Sequence, residues 1–208
     1  MSVMPKYTEP VRTGYAYGSP TIQPVSLAQT KAHLKVDHSD EDDLIEALID
    51  TAVAHFEGYD GVLGQCLLTQ TVTVSYDRFG GDAKLRIPVS PLQSVVVSYY
   101  DTDNVQQTYA AANYALHTDS IGPYITRVSG IGAYPAAYER DDAVTITCTA
   151  GYGDTVADIP APIISALLLL IGHLYENREQ VTTGQLSNLP MGIDTLLFQY
   201  RRHSFGNV

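Results

Sequence analysis

His33, Asp37 and His38 bring two imidazoles and a carboxylate within six residues, and His173 with Glu176 stands one helical turn apart. Both spacings occur in metal sites. The first set straddles the expected end of a short helix, where three side chains do not converge, so solvated surface groups are expected. The second lacks the matching Glu and Glu-x-x-His elements that carboxylate-bridged metals take from other helices. The run Asp37, Asp40, Glu41, Asp42, Asp43 has neither the central glycine nor the closing glutamate of a calcium loop, and reads as an acidic helix start matched to the helix dipole. Gly151 and Gly153 are close together, but a strand end before a proline-led helix explains them without a phosphate. The sequence contains no G-x-S-x-G elbow, no H-E-x-x-H pair and no Walker lysine. Cys66 and Cys148, far apart in sequence and outside any Cys/His spacing, are expected as buried thiols. The residues therefore predict no catalytic group, no cofactor and no metal.

Charge narrows the function further. The 208 residues carry a formal charge of −11, which argues against a nucleic-acid clamp, because such clamps draw affinity from clustered Lys and Arg. An acidic wall still lets a duplex pass without holding it. The apolar run from Ile163 to Ile171 meets Gly172, His173 and Glu176 well short of the roughly 20 residues of a membrane span, so it is expected as a core helix and no membrane partner is expected. The chain opens without a signal-peptide pattern, which points to synthesis in the cytoplasm. Fifteen tyrosines and no tryptophan imply many half-buried rings. Tyr99, Tyr100, Tyr109, Tyr114, Tyr124 and Tyr138 are candidates for a ligand face or for cross-strand pairs.

These side chains sit on a recognisable order of elements. Residues 1–24 mix Pro, Gly, Tyr and Thr without period and read as an extended arm, ordered only if something receives it. Ser26 and Gln29 form a capping box for a short helix. Leu44, Ile45, Leu48, Ile49, Ala52, Val53 and Phe56 then recur on one helical face, with Ser39 or Asp40 as the expected cap and Gly58 and Gly61 as the stop. From Thr69 to Thr149 the period changes to two, and about seven short strands are expected, with Val72, Val74 and Tyr76 on one face and Thr71, Thr73 and Ser75 on the other. Beyond "DIPAP", Ile163, Ile164, Leu167, Leu168, Leu170, Ile171, Leu174 and Tyr175 cover a broad helical arc, while Leu169 points away between Ser165 and Gly172. A last amphipathic helix carries Ile193, Leu196, Leu197 and Tyr200, ends on Arg201, Arg202 and His203, and either docks on a partner or folds back on its own core. The expected fold class is α+β: a small helical bundle with an antiparallel β-sheet insertion and extended N- and C-terminal arms. The expected divisions are 1–24 (arm), 25–66 (bundle), 67–152 (β insertion), 153–182 (core helix) and 183–208 (C-terminal docking arm).

Taken in order, "PVSLAQTKAHLKVDHSDEDDLIEALIDTAVAHFEGY", "PLQSVVVSYYDTDNVQQTY", "AVTITCTAGYG" and "IPAPIISALLLLIGHLYENRE" resemble the head-tail connector (adaptor) proteins of long-tailed bacteriophages and gene transfer agents, over roughly residues 24 to 200. The resemblance implies a structural protein of the virion neck, made in the host cytoplasm. It implies a ring, twelve-fold in the family, beneath the portal, joining head to tail and letting double-stranded DNA pass without specific binding. Implied partners are the portal protein, neighbouring copies and the next neck or tail-completion protein. Carried over by position, the portal-docking segment is Ile193, Leu196, Leu197, Phe198, Tyr200, Arg201 and Arg202. Two further expectations are read from the residues: a subunit interface at Ser165, Leu169 and Gly172, and a DNA-channel acidic flank of Asp40, Glu41, Asp42, Asp43, Glu46 and Asp50. The competing reading is a non-catalytic binding module that meets a glycan or protein through its tyrosine-rich β insertion.

Overall fold

The computed structural model describes residues 10–18, 20–58, 60–80, 84–177 and 191–201. The fold is α+β, and the chain divides into two compact units. Residues 10–18 and 70–150 form a β unit; residues 20–69 and 151–201 form a helical unit.

In the β unit, β1 (Arg12–Tyr17), β2 (Gln70–Tyr76), β3 (Leu85–Arg86), β4 (Leu92–Tyr100), β5 (Gln106–Tyr109), β6 (Tyr114–Asp119), β7 (Gly122–Arg127) and β8 (Val144–Ala150) make two antiparallel sheets. One has the order β1-β2-β8-β4-β5 and the other β3-β7-β6. Alternation decides which side of each strand is dry: Val72, Val74 and Tyr76 on β2 and Val144, Ile146 and Cys148 on β8 are buried, while the threonines between them are not. The pairing Val74↔Ile146 and Val97↔Ile146 aligns these apolar positions across the three central strands.

The N-terminal arm is partly received by the chain itself. Residues 12–17 pair antiparallel with the edge of β2, Tyr15 opposite Val74 and Tyr17 opposite Val72. No alternating pattern signals this strand, because an edge strand covered on one side has little need of one. What holds it is the ladder, the Tyr15–Tyr17 edge contact at 5.5 Å and the Gly18 N–H donating to the Thr71 carbonyl at 2.7 Å.

The helical unit contains α1 (Leu27–Leu34), α2 (Asp42–Phe56), α3 (Ala161–Glu176) and α4 (Met191–Leu197). Ser26 caps α1, its Oγ accepting from the Gln29 N–H at 3.1 Å. The expected cap of α2 is not used. Neither Ser39 nor Asp40 holds that position; Glu41 does, without a side-chain cap bond, because its carboxylate is engaged by the Tyr175 hydroxyl of α3. Tertiary contact here overrides the local capping preference.

The core of this unit is the apolar face of α2 (Ile45, Ile49, Ala52, Val53, Phe56) against Ile163, Ala166, Leu167, Leu170 and Ile171 of α3. The segment after α2 adds Leu63, Leu67 and Leu68. Gly151 and Gly153 take their meaning from packing. Gly151 has φ +138°, and a Cβ there would lie 2.4 Å from the Leu68 carbonyl group; a Cβ on Gly153 would lie 2.4 Å from the Asp158 carboxyl. Asp158 is held by the Thr155 backbone N–H at 2.9 Å and hydroxyl at 2.8 Å, closing a capping box ahead of α3.

At the β6–β7 turn, Asp119 takes a bidentate contact from Arg86 at 3.0 and 2.9 Å, one from Lys84 at 3.1 Å, and the Ile121 and Gly122 backbone N–H groups at 3.0 and 3.2 Å. The Arg86 bond, more than that of Lys84, holds its carboxyl well below the usual carboxylate range, against the opposing effect of desolvation. A depressed native value stabilises the fold at pH above the unfolded value, near 3.9, and that contribution is lost as pH falls toward the native one. Asp119→Asn is therefore expected to melt below the parent chain at neutral pH, with the gap narrowing in acid, as thermal scans across pH will show.

Candidate assembly surfaces

The seven residues assigned to portal docking do not share one fate. Ile193 and Leu197 are fully buried in the helical core, and Leu196 and Tyr200 are partly buried against it. Gln65 Nε2 donates to the Tyr200 carbonyl at 2.8 Å, and Arg201 pairs with Asp194 at 2.5 Å. Phe198, by contrast, is 68% exposed, the most exposed large hydrophobic side chain of those described. Arg202 lies outside the described residues. Of the two outcomes weighed for this helix, folding back on its own core is what the free chain does, since its i, i+4 apolar pair finds α3. The large hydrophobic side chain exposed at its end is Phe198.

The three interface positions on α3 also separate. Ser165 and Leu169 are exposed, Leu169 by 43%. Gly172 faces α1, where a Cβ would sit 3.6 Å from His33 Nε2 and 3.8 Å from Leu34 Cδ2. Those are ordinary contact distances, so this position packs on α1 of the same chain.

The acidic flank divides likewise. Glu41 is taken by Tyr175, and Asp42 pairs with Lys31 at 2.5 Å. Asp40, Asp43, Glu46 and Asp50 are exposed, the last three along one side of α2, with Gln23 Nε2 donating to Asp50 at 2.8 Å. Periodicity alone separates this stripe from the buried one, since Asp43, Glu46 and Asp50 fall between the core positions.

No metal-binding arrangement of three or more His, Cys, Asp or Glu occurs among the described residues. His33, Asp37, His38 and His173 are exposed, and Asn177 Nδ2 donates to the His173 carbonyl at 2.8 Å. Among the described residues no helix is long and apolar enough to cross a membrane. Cys66 and Cys148 are buried and outside any disulfide. Cys148 Sγ lies 3.3 Å from the Val72 carbonyl, and burial pushes its thiol up to about 11. Because the thiolate is the reactive form, Cys148 in the folded chain is expected to resist alkylation at about pH 8 and to react once guanidinium unfolds it, as mass spectrometry of the labelled peptide will record.

The tyrosines of the β unit mostly face one another. The Phe79 and Tyr134 rings stack at 4.5 Å, Tyr99 and Tyr109 approach Phe79 at 5.5 and 5.4 Å, and Tyr114 stacks on Tyr109 at 6.1 Å. Tyr100 lies under the Arg140 guanidinium at 3.7 Å, and Tyr124 between Lys84 at 4.2 Å and His117 at 5.4 Å. Of the six candidate ligand-face tyrosines, Tyr138 is the one classed as exposed, at 43%. The rings thus make a small aromatic core rather than an open stacking platform.

A helical unit with an acidic helix side, one projecting aromatic and no assembled reactive cluster among the described residues defines an α+β scaffold whose distinctive features are surfaces. Comparison then narrows the class. Residues 24–113 match the model of the phage gp6-like head-tail connector proteins, which bears out the resemblance read from the sequence. Among curated proteins no relative matches. In fold, the chain is similar to a chain of "Virion of native gene transfer agent (GTA) particle", with a TM-score of 0.69, 21% identity, and coverage of 90% of this chain and 95% of that one. A chain of "Neck of empty GTA particle computed with C6 symmetry" matches equally, with a TM-score of 0.69, 21% identity and 90% and 96% coverage. A chain of "Neck of native GTA particle computed with C12 symmetry" matches with a TM-score of 0.60, 21% identity and 85% and 88% coverage. At that identity the likeness is one of fold.

Proposed function

We propose that this chain is a structural head-tail adaptor of a tailed phage or phage-like particle, lying in the virion neck as a twelve-fold ring beneath the portal protein. The observation that carries the reading is the fold match, which spans nearly the whole of both chains, 90% of this one and 95% of a gene transfer agent virion chain, and coincides with the connector match over residues 24–113. Its work is mechanical and no reaction is assigned to it. The helical parts, residues 25–66 and 153–182, supply the ring body. The segment 183–208 is the portal-docking arm in this reading, with Ile193 and Leu197 anchoring α4 to the bundle and Phe198 exposed beside them. Residues 1–24 and the β insertion at 67–152 are left to meet neighbours or the next neck component.

The exposed side of α2 lines the bore in this reading. Twelve chains at −11 each bring −132 formal charges to the ring, so Asp43, Glu46 and Asp50 repel phosphates and the duplex slides without binding. Electron microscopy of necks in particles from the same source tests the proposal directly. Density for this chain between portal and tail is the expected result, and finished particles that lack the chain overturn it.

A further inference from the structure

A closed ring of more than two copies needs two different surfaces on every chain, because each contact is heterologous. Among the described residues two exposed or half-buried surfaces lack charge. On the first, the β-ladder registers place Thr73, Thr147 and Val96 in one row across β2, β8 and β4, and Thr71, Thr149 and Ser94 in the next. Val96 is 52% exposed. Solvated sheet faces ordinarily carry charged side chains that block association, and a chain rich in acidic residues has them to spare, yet these rows have none.

The second surface is on α3. Ala161, Ser165 and Leu169 are exposed at i, i+4 and i+8, and no Asp, Glu, Lys or Arg occurs between Ala161 and Tyr175. The stripe is small, small, large, and it ends on a Leu169 side chain 43% exposed.

We infer that, in the ring proposed above and resting on that reading, the Leu169 side of α3 of one copy lies across the Thr147–Val96 face of the next copy. Chains of −11 repel except where neither partner presents charge, and these two surfaces meet that condition. Small side chains on both let a helix approach a sheet closely, so that Leu169 covers Val96. Two hydroxyls of this face already donate within the sheet, which lowers the cost of burying them: Ser94 Oγ to Thr149 Oγ1 at 3.0 Å, and Ser98 Oγ to the Thr145 carbonyl at 3.4 Å.

The test uses the full chain in particles from its source. The double variant Leu169→Cys/Thr147→Cys, treated with a short bis-maleimide, is expected to give a ladder of covalent oligomers, whereas either single variant stays monomeric. Leu169→Asp is expected to reduce incorporation at least about tenfold, by placing an unpaired charge at the contact, while melting like the parent. Particles that contain the double variant but give no ladder, or that take up Leu169→Asp at the parent level, overturn the inference alone. A parent chain missing from the particles overturns the adaptor reading and this inference with it.

Discussion

Phe198→Ala is expected to abolish stable attachment of this chain to portal-bearing heads while leaving its unfolding transition where it was. Phe198 is 68% exposed at the end of a helix whose neighbouring apolar residues, Ile193 and Leu197, are fully buried. A largely exposed aromatic ring beside a well-packed anchor is an arrangement interfaces use for strong contacts, and truncating such a ring costs about 2 kcal/mol or more, roughly 30-fold in affinity. In the twelve-fold ring proposed above, weakened contacts acting in parallel would compound the loss. Co-sedimentation with tail-less heads, scored beside a urea unfolding curve, reads both quantities.

The contrast that gives this experiment its force is Ile193→Ala. Removing a fully buried Ile is expected to cost about 2 to 5 kcal/mol of stability, whatever its effect on attachment. For the same reason deletion of the whole C-terminal segment is a poor probe, since it strips two core side chains together with the proposed docking residue. Normal attachment by Phe198→Ala would remove this end of the molecule from the portal contact.

Gly151→Ala is expected to damage the helical unit severely. The residue adopts φ +138°, and its added Cβ would meet the Leu68 carbonyl carbon and oxygen at 2.4 Å and the Thr69 nitrogen at 2.6 Å. All three are backbone atoms and cannot rotate away. On either side, the Tyr152 N–H donates to the Leu67 carbonyl at 3.2 Å and the Thr69 N–H to the Gly153 carbonyl at 2.9 Å, so separating the two strands of chain loosens both bonds. Backbone strain and overpacking together come to about 4 kcal/mol. With a urea dependence of about 2 kcal/mol per M, the midpoint should fall by roughly 2 M. A midpoint within a few tenths of the parent value would show that the close approach at Gly151 is not needed by the fold.

Much of the helical unit was legible in the sequence because one-sided burial leaves a period of 3.6. The α2 face was readable from Ile45 to Phe56, and so was the isolation of Leu169, whose exposure follows from its angle on the wheel. The strands from β2 to β8 were readable by alternation, and Ser26 by its spacing to Gln29. Other features left no local mark. The sheet order β1-β2-β8-β4-β5 joins strands distant in sequence, and β1 is stabilised by a ladder partner nearly 60 residues away, so its own residues need show no pattern.

The candidate surfaces divide along the same line. Sequence by itself determined that this chain is acidic, that Asp43, Glu46 and Asp50 share a side of α2, and that Ile193 and Leu197 form an apolar pair, because charge and periodicity belong to neighbouring residues. Only tertiary structure decided that Glu41 is taken up by Tyr175 rather than left in solvent, that Gly172 is filled by α1 while Leu169 stays bare, and that α4 buries its pair and exposes Phe198. Which side of an amphipathic segment is covered depends on how much apolar surface the rest of the chain offers it, and that quantity exists only once the chain has folded.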